Sequence, residues 1–252
     1  MPQAFAHRPP RGIDFGAARA LHGDALTLDA LAIPMFLGHF GLALAIKRVA
    51  PQPSLGTTVL AAQWADGLWP VFTLLGIERL EIVPGITAVS PLDFVSYPFS
   101  HSLVADAGWA ALFALAYGVL RRDWRGALWL AALVLSHWVL DVIAHRPDMP
   151  TWPGGPMLGL GLWNSVPGTL LVEFALYGSG AWIYASATRP RDRLGNVVYR
   201  SFVVTLALIY LASVFGPPPP SARAVAVTGV VAWLFVAWGY WIDRHRVPVG
   251  AV

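Results

Sequence analysis

Histidine and aspartate residues recur at helical spacing within one apolar segment, Ser136 to His145. His137 and Asp141 are four residues apart, which places them on one face of a helix, a turn apart. His145 follows one turn later. Imidazole and carboxylate groups together bind Zn²⁺, and also Mn²⁺ or Fe²⁺. This helix face therefore predicts part of a metal site, which residues of neighbouring helices would complete.

Other apolar segments also contain ionisable residues. His39, Asp66 and His101 each lie within such a segment or at its start. Ionisable side chains are costly at membrane depth, so by default they mark function. We therefore predict that a divalent metal ion, zinc before manganese or iron, is held by His39, Asp66, His101, His137 and Asp141. Asp66 and His101 are also the predicted catalytic residues.

Four further residues are candidates for additional ligands or for the mouth of the site: His145, Arg146, Asp148 and Glu173. Arg146 could pair with a phosphate group, and its alternative role is an ordinary anchor at the membrane interface. For the His/Asp set as a whole, two other interpretations stay open. One is a structural hydrogen bond between helices, and the other is a proton relay.

The composition indicates which elements position these side chains. Of 252 residues, 56% are hydrophobic and 12% are charged, about half the charge of a soluble domain. We predict an all-α transmembrane bundle with six to seven spans, residues 31–246, after an extramembrane segment, residues 1–30, with the site within 35–155. Most of the apolar segments reach the ~20 residues that cross a bilayer, while the first and the sixth are short. They are 31–46, 55–77, 102–120, 126–144, 168–187, 201–216 and 223–242.

The connections between these segments alternate in charge. Short basic connections follow residues 46, 120, 187 and 242, whereas 78–101 and 145–167 are long and rich in proline and glycine. Basic loops collect in the cytoplasm, so the C-terminus is predicted to be cytoplasmic and the site to face the outer half. Asp66-Gly67, followed by Trp69-Pro70, also predicts a locally broken helix beside a cavity.

Four short motifs, taken in order, resemble the bacterial membrane-bound metal-dependent hydrolases, including the LexA-binding, inner-membrane-associated hydrolases. The resemblance covers roughly residues 35–155. It implies a bacterial inner-membrane protein whose His/Asp residues bind a metal ion that activates water. The matching elements are Gly38-His39, Ala65-Asp66-Gly67, Ser100-His101-Ser102 and Ser136-His137-Trp138-Val139-Leu140-Asp141.

The chain departs from the family pattern at two places. Leu68 and Trp69 stand where the family has a second Asp and a His, and Ser96-Tyr97-Pro98 replaces a His-Arg-Gly element. Fewer ligands remain, so the resemblance implies one metal ion rather than two. The predicted reaction is hydrolysis of a lipidic ester or phosphoester, with Asp66, Asp148 or Glu173 taking a proton from water.

Two other functions remain open on the sequence. The alternative is a transporter or permease that uses the intramembrane His and Asp residues as a proton or ion relay. A non-catalytic scaffold ranks third, because polar contacts between membrane helices contribute only ~0.6 kcal/mol each. The predicted partners are the lipid bilayer and a lipidic substrate, and no nucleic-acid module is present in the sequence.

Overall fold

The computed structural model describes residues 37–250, and this part of the chain is mostly helical. The predicted N-terminal segment, 1–30, and the beginning of the first predicted span lie outside the described residues. The helices of the described part are α1 (Leu37–Ala45), α2 (Leu55–Ala62), α3 (Trp64–Leu74), α4 (Leu103–Arg121), α5 (Trp124–Ala144), α6 (Val166–Ala187), α7 (Arg193–Phe215), α8 (Ala222–Val231) and α9 (Leu234–His245).

Four helical stretches of the described chain are long and apolar enough to cross a membrane. They are α4, α5, α7 and the stretch Ala222–His245, which combines α8 and α9 across the turn at Ala232–Trp233. These helices indicate a membrane protein, as the composition predicted. The predicted number of six to seven spans is not confirmed, because α1, α2 and α3 are each too short to span alone. α6 has 22 residues but is not among the four stretches.

The second predicted span is interrupted, as the sequence indicated, but at a different residue. The interruption is at Gln63, between α2 and α3, and α3 continues through Pro70. Gln63 has φ −104° and ψ 16°, outside the helical range. The reason lies in tertiary structure, because the carbonyl oxygen of Ala62 at this interruption accepts a hydrogen bond from a side chain of α5.

The predicted all-α fold is confirmed as mostly helical, and three short antiparallel strand pairs of the described residues lie outside the helices, where the sequence analysis predicted none. The pairs are β1 (Arg79–Ile82) with β2 (Leu92–Ser96), β3 (Met149–Pro150) with β4 (Met157–Leu158), and β5 (Thr188–Pro190) with β6 (Arg246–Pro248). The first two pairs lie in the two long connections. The register of β1 and β2 shifts between Arg79 and Glu81.

The connections gather at two ends of the helical bundle. At the basic end, β5 pairs with β6, and the carboxylate of Asp243 accepts hydrogen bonds from the backbone of Leu55 and Gly56. At the other end the two long connections meet, where Arg146 pairs with Asp93. We call these the basic end and the hairpin end. α4 runs between them, from the hairpin end at its N-terminus to the basic end at its C-terminus.

α1 packs closely against α6, and glycine allows this approach. A Cβ atom on Gly180 would lie 2.0 Å from the carbonyl oxygen of Gly41, and one on Gly41 would lie 2.6 Å from that of Leu176. Side chains of α1, α2, α5, α6, α7 and α9 form the main apolar core around this contact. The short helix α1 is therefore enclosed by longer helices, which fixes the residues it carries.

Candidate metal centre

His137 and Asp141 lie one turn apart on α5, and both are buried. His137 Nδ1 is 2.7 Å from the carbonyl oxygen of Ala62. A carbonyl oxygen only accepts, so Nδ1 carries the proton and donates it. In a neutral ring the lone pair is then on Nε2. That nitrogen lies 3.3 Å from Asp141 Oδ2 and 3.8 Å from Asp66 Oδ1.

His101 reaches the same place from the segment that precedes α4. Its Nδ1 lies 2.8 Å from Ser100 Oγ, and that hydroxyl donates its own proton to Glu78 Oε2 at 2.6 Å. Ser100 Oγ must therefore accept from His101 Nδ1, which again leaves the lone pair on Nε2. His101 Nε2 lies 3.6 Å from Asp141 Oδ2 and 3.8 Å from Asp66 Oδ1.

His39, on α1, contacts the other oxygen of the Asp141 carboxylate. Its Nε2 is 3.1 Å from Asp141 Oδ1, and its ring stacks on that of His137 with centroids 3.8 Å apart and an interplanar angle of 5°. His39 is 1% exposed. Asp141 thus contacts His39 through one oxygen and the two other histidines through the other oxygen.

These five residues form two overlapping groups that could hold a metal ion. One group is His39, His137 and Asp141, and the other is Asp66, His101 and His137. Within each group the candidate ligand atoms lie within 4.8 Å of one another. His137 belongs to both groups, but its Nε2 has one lone pair and binds one ion. All five predicted ligands therefore converge, although they come from four separate segments of the chain.

The chemistry of this donor set fits a cation. Nε2 of His137 has no hydrogen-bond donor, and the carboxylate oxygens that face it are also acceptors. Either a proton or a metal ion must lie between such groups, because buried acceptors that face each other repel. Ligand atoms of a tetrahedral zinc ion lie about 3.3–3.6 Å apart. The four distances that join the two Nε2 atoms to Asp66 and Asp141 are 3.3–3.8 Å.

A small cavity of about 20 Å³ adjoins these residues. That volume accommodates a single water molecule or ion. Aromatic side chains from α3 and from both long connections restrict access to it. The lining residues are His39, Asp66, Trp69, Phe94, His101, Asp141, His145 and Trp163.

A second crevice, also about 20 Å³, reaches Asp66 from another direction. It lies between α2–α3 and the junction of α8 with α9, where Trp233 Nε1 donates to the carbonyl of Gly67 at 3.3 Å. The Asp66 side chain is 23% exposed, compared with 6% for Asp141. Asp66 is thus the more accessible carboxylate, and Trp69 Nε1 donates to its Oδ1 at 3.1 Å.

Three predicted mouth residues form a network beside the cavity. His145 Nδ1 lies 3.1 Å from Asp148 Oδ1, and Arg146 Nε lies 3.0 Å from Asp148 Oδ2. Arg146 also pairs with Asp93, so two carboxylates already engage its guanidinium group. Tyr97 donates to the carbonyl of Asp148 at 3.0 Å, and burial raises the pKa of Tyr97 well above its usual value. Only His145 of these three predicted residues lines the cavity.

Glu173 is placed apart from the converging ligands. It is fully buried on α6, and its Oε2 accepts a hydrogen bond of 2.9 Å from the backbone nitrogen of Gly38. Gly38 is the second residue of α1, where backbone N–H groups lack helical partners and favour a negative charge. The structure therefore gives Glu173 a contact that caps α1 and so helps to fix His39.

Two buried carboxylates near the centre were missed by sequence reasoning. Glu78 is 4% exposed and binds the backbone nitrogens of Phe99 and Ser100 at 2.9 and 2.8 Å, besides the Ser100 hydroxyl. It lies in a connection, where no sequence signal distinguishes it. Asp106 lies on α4, is fully buried and has no hydrogen bond to either carboxylate oxygen. Asp106, like Asp66, is an ionisable residue within an apolar segment, and the same criterion would have identified it.

Searches against protein-family models, curated proteins and solved structures find no match to this chain. The resemblance to membrane-bound metal-dependent hydrolases therefore stays a prediction. The physical class of the site rests on its own geometry. It is a buried set of histidines and aspartates, in a helical protein with four apolar candidate spans, that could hold a metal ion.

Proposed function

We propose that this chain is a metal-dependent hydrolase of the bacterial inner membrane that acts on an ester or phosphoester of a lipid. One observation carries the proposal: the Nε2 atoms of His101 and His137 face the carboxylates of Asp66 and Asp141 without a hydrogen-bond donor between them. His39 fixes the second oxygen of Asp141. His101, His137 and Asp141 would hold the ion, and Asp66 would be a further ligand or the base. We take zinc as the first candidate because tetrahedral N/O sites suit it.

A bound divalent ion supplies Lewis-acid activation of water at neutral pH. Asp66 would accept the proton, because it is the carboxylate that both the cavity and the second crevice reach. Ser100 and Glu78 keep His101 in the tautomer that presents Nε2, and the Ala62 carbonyl does the same for His137. Phe94 and Trp163 limit the entry of bulk water.

The membrane setting supports a lipidic substrate. The crevice at Asp66 is lined mainly by apolar side chains of α2, α8 and α9. This apolar lining next to Asp66 favours a substrate that comes from the bilayer. We further propose six to seven spans, a cytoplasmic C-terminus and a site in the outer half, on the charge pattern of the connections.

Metal analysis of the purified protein tests the proposal. We expect near-stoichiometric zinc, manganese or iron in the wild type, and its loss in His137→Ala. His245→Ala is the matched control, because His245 pairs with Asp192 at the basic end. Release of fatty acid or phosphate from mixed lipid micelles should then depend on the metal. A metal-free wild type that His137→Ala leaves unchanged would contradict the proposal.

A proton-coupled transporter is the second candidate, and one observation favours it. Two helices are interrupted, at Gln63 and at Ala232–Trp233, and the interrupted pairs pack against each other. Discontinuous helices form the ion and substrate sites of many transporters. Proton flux into liposomes containing the metal-free protein would support this candidate, and hydrolysis that requires metal would favour the first.

A further inference from the structure

A groove separate from the metal centre runs along α4 on the side that faces α2 and α9. It encloses about 730 Å³, within the range of sites that bind small molecules. Trp64 and Trp109 lie at one end of the groove, and Arg121 and Tyr240 lie at the other. The lining between them is mainly apolar, with Leu112 and Phe113 on α4.

The length of the groove matches one leaflet of a bilayer. Trp109 and Arg121 are twelve residues apart on α4, which corresponds to about 18 Å along the helix axis. Half of a ~30 Å hydrocarbon layer is of similar depth. Leu115 and Leu120 of the same helix are 55% and 80% exposed, as expected of side chains that contact lipid. The groove therefore extends from the membrane interface at the basic end towards mid-depth.

The end of the groove that lies at the basic end of the bundle is polar and cationic. Tyr240 and Ser54 contact the hydroxyl of Thr57 at 3.0 and 2.7 Å. Arg121 takes part in none of the ion pairs of residues 37–250, and no acidic side chain lines the groove. A guanidinium group and several hydroxyls at the interface, with no carboxylate among the lining residues, match the phosphate of an anionic headgroup.

We propose that this groove binds an acyl chain of an anionic phospholipid from the leaflet at the basic end, with the lipid phosphate at Arg121. The ligand is distinct from any substrate of the metal centre. Trp64 contacts Trp109 at 5.9 Å and Trp233 at 6.4 Å between ring centroids, and these rings separate the groove from the crevice at Asp66. The inference does not depend on the proposed hydrolase function.

Native mass spectrometry of the delipidated full chain provides the test. The probes are phosphatidylglycerol and phosphatidylcholine with identical acyl chains, titrated in detergent with and without a chelator of divalent metals. Ala116→Trp fills the groove, and Ala111→Trp is its control, because Ala111 is exposed on α4 but does not line the groove. Arg121→Gln removes the cation, and Arg125→Gln removes an exposed charge outside the groove.

We expect one phosphatidylglycerol to bind about fivefold more tightly than phosphatidylcholine, the equivalent of about 1 kcal/mol for one basic residue at the interface. Arg121→Gln should remove this preference and Ala116→Trp should abolish binding of both lipids, whereas the two controls and the chelator change nothing. Equal affinity for the two lipids in the wild type would overturn the proposal. So would unchanged binding in Ala116→Trp, or a lipid-free dimer that Ala116→Trp dissociates, which would assign the groove to a second copy of the chain.

Discussion

At the scale of single residues, the candidate centre depends on what holds the far side of each histidine ring. The Ala62 carbonyl fixes His137, and the Ser100 hydroxyl, itself bound to Glu78, fixes His101. Such outer partners set the tautomer and the orientation of a metal ligand. The sequence identified the histidines by their type and position. It gave no sign of these partners, because they come from distant or irregular segments.

Ser100→Ala should weaken metal binding about 10–100-fold, since His101 loses the acceptor that orients it. Ser102→Ala is the matched control two residues away. Ser102 caps α4 by accepting from the backbone nitrogen of Ala105, so its loss should cost about 1 kcal/mol of stability. Metal affinity by competition with a chelating dye, together with a thermal melt, separates the two effects. Equal metal affinity in both variants would exclude the orienting role of Ser100.

Glu173 offers a second residue-scale prediction. Glu173→Ala leaves the buried backbone nitrogen of Gly38 without its acceptor, which should cost about 1–3 kcal/mol, whereas Glu173→Gln retains an acceptor oxygen. Unfolding in a denaturing detergent compares the stability of each variant with that of the wild type. Both variants should keep their metal if they fold. Loss of metal from a folded Glu173→Gln would instead make Glu173 a ligand, as the sequence had suggested.

At the scale of elements, short and interrupted helices place the ligands. α1 has nine residues and carries His39, and the interruption between α2 and α3 exposes the Ala62 carbonyl to His137. The period of an α-helix predicted correctly that His137 and Asp141 share a face of α5. The periodicity of apolar residues could not place the interruption, because the residues on both sides of Gln63 are equally apolar.

The contact of α1 with α6 yields an element-scale prediction. Gly180→Ala would bring a Cβ atom to 2.0 Å from the Gly41 carbonyl, so the helices must separate at a cost of about 1–3 kcal/mol. Gly178→Ala meets nothing within 4 Å and should be neutral or slightly stabilising. Melting temperatures in one detergent compare the two variants. Equal melting temperatures would mean that the two helices do not pack as closely as described.

At the scale of the whole molecule, charge divides the two ends of the bundle. The basic connections lie at the end where β5 pairs with β6, and the two long connections meet at the hairpin end, beside the candidate metal centre. Positive charge is retained on the cytoplasmic side of a membrane. This distribution predicts the orientation of the bundle in the membrane, which cysteine labelling can test.

The chain contains no cysteine, so single cysteines report the orientation without background. Ala88 and Pro153 are exposed at the hairpin end, and Arg191 is exposed at the basic end. In intact cells, a membrane-impermeant maleimide should label Ala88→Cys and Pro153→Cys, and should label Arg191→Cys only after permeabilisation. The reverse pattern would place the candidate metal centre in the cytoplasmic half.

The sequence by itself indicated the class of the molecule and the residues that could bind a metal ion. A low charged fraction indicated a helical membrane protein, and the cost of ionisable residues in apolar segments singled out most of those present, although Asp106 was missed. Only the tertiary structure decided which of them meet. His39 and Asp141 are in contact although 102 residues separate them, and Glu173 is directed to α1 instead. Local periodicity fixes a helix face, whereas the convergence of four segments depends on how the helices pack.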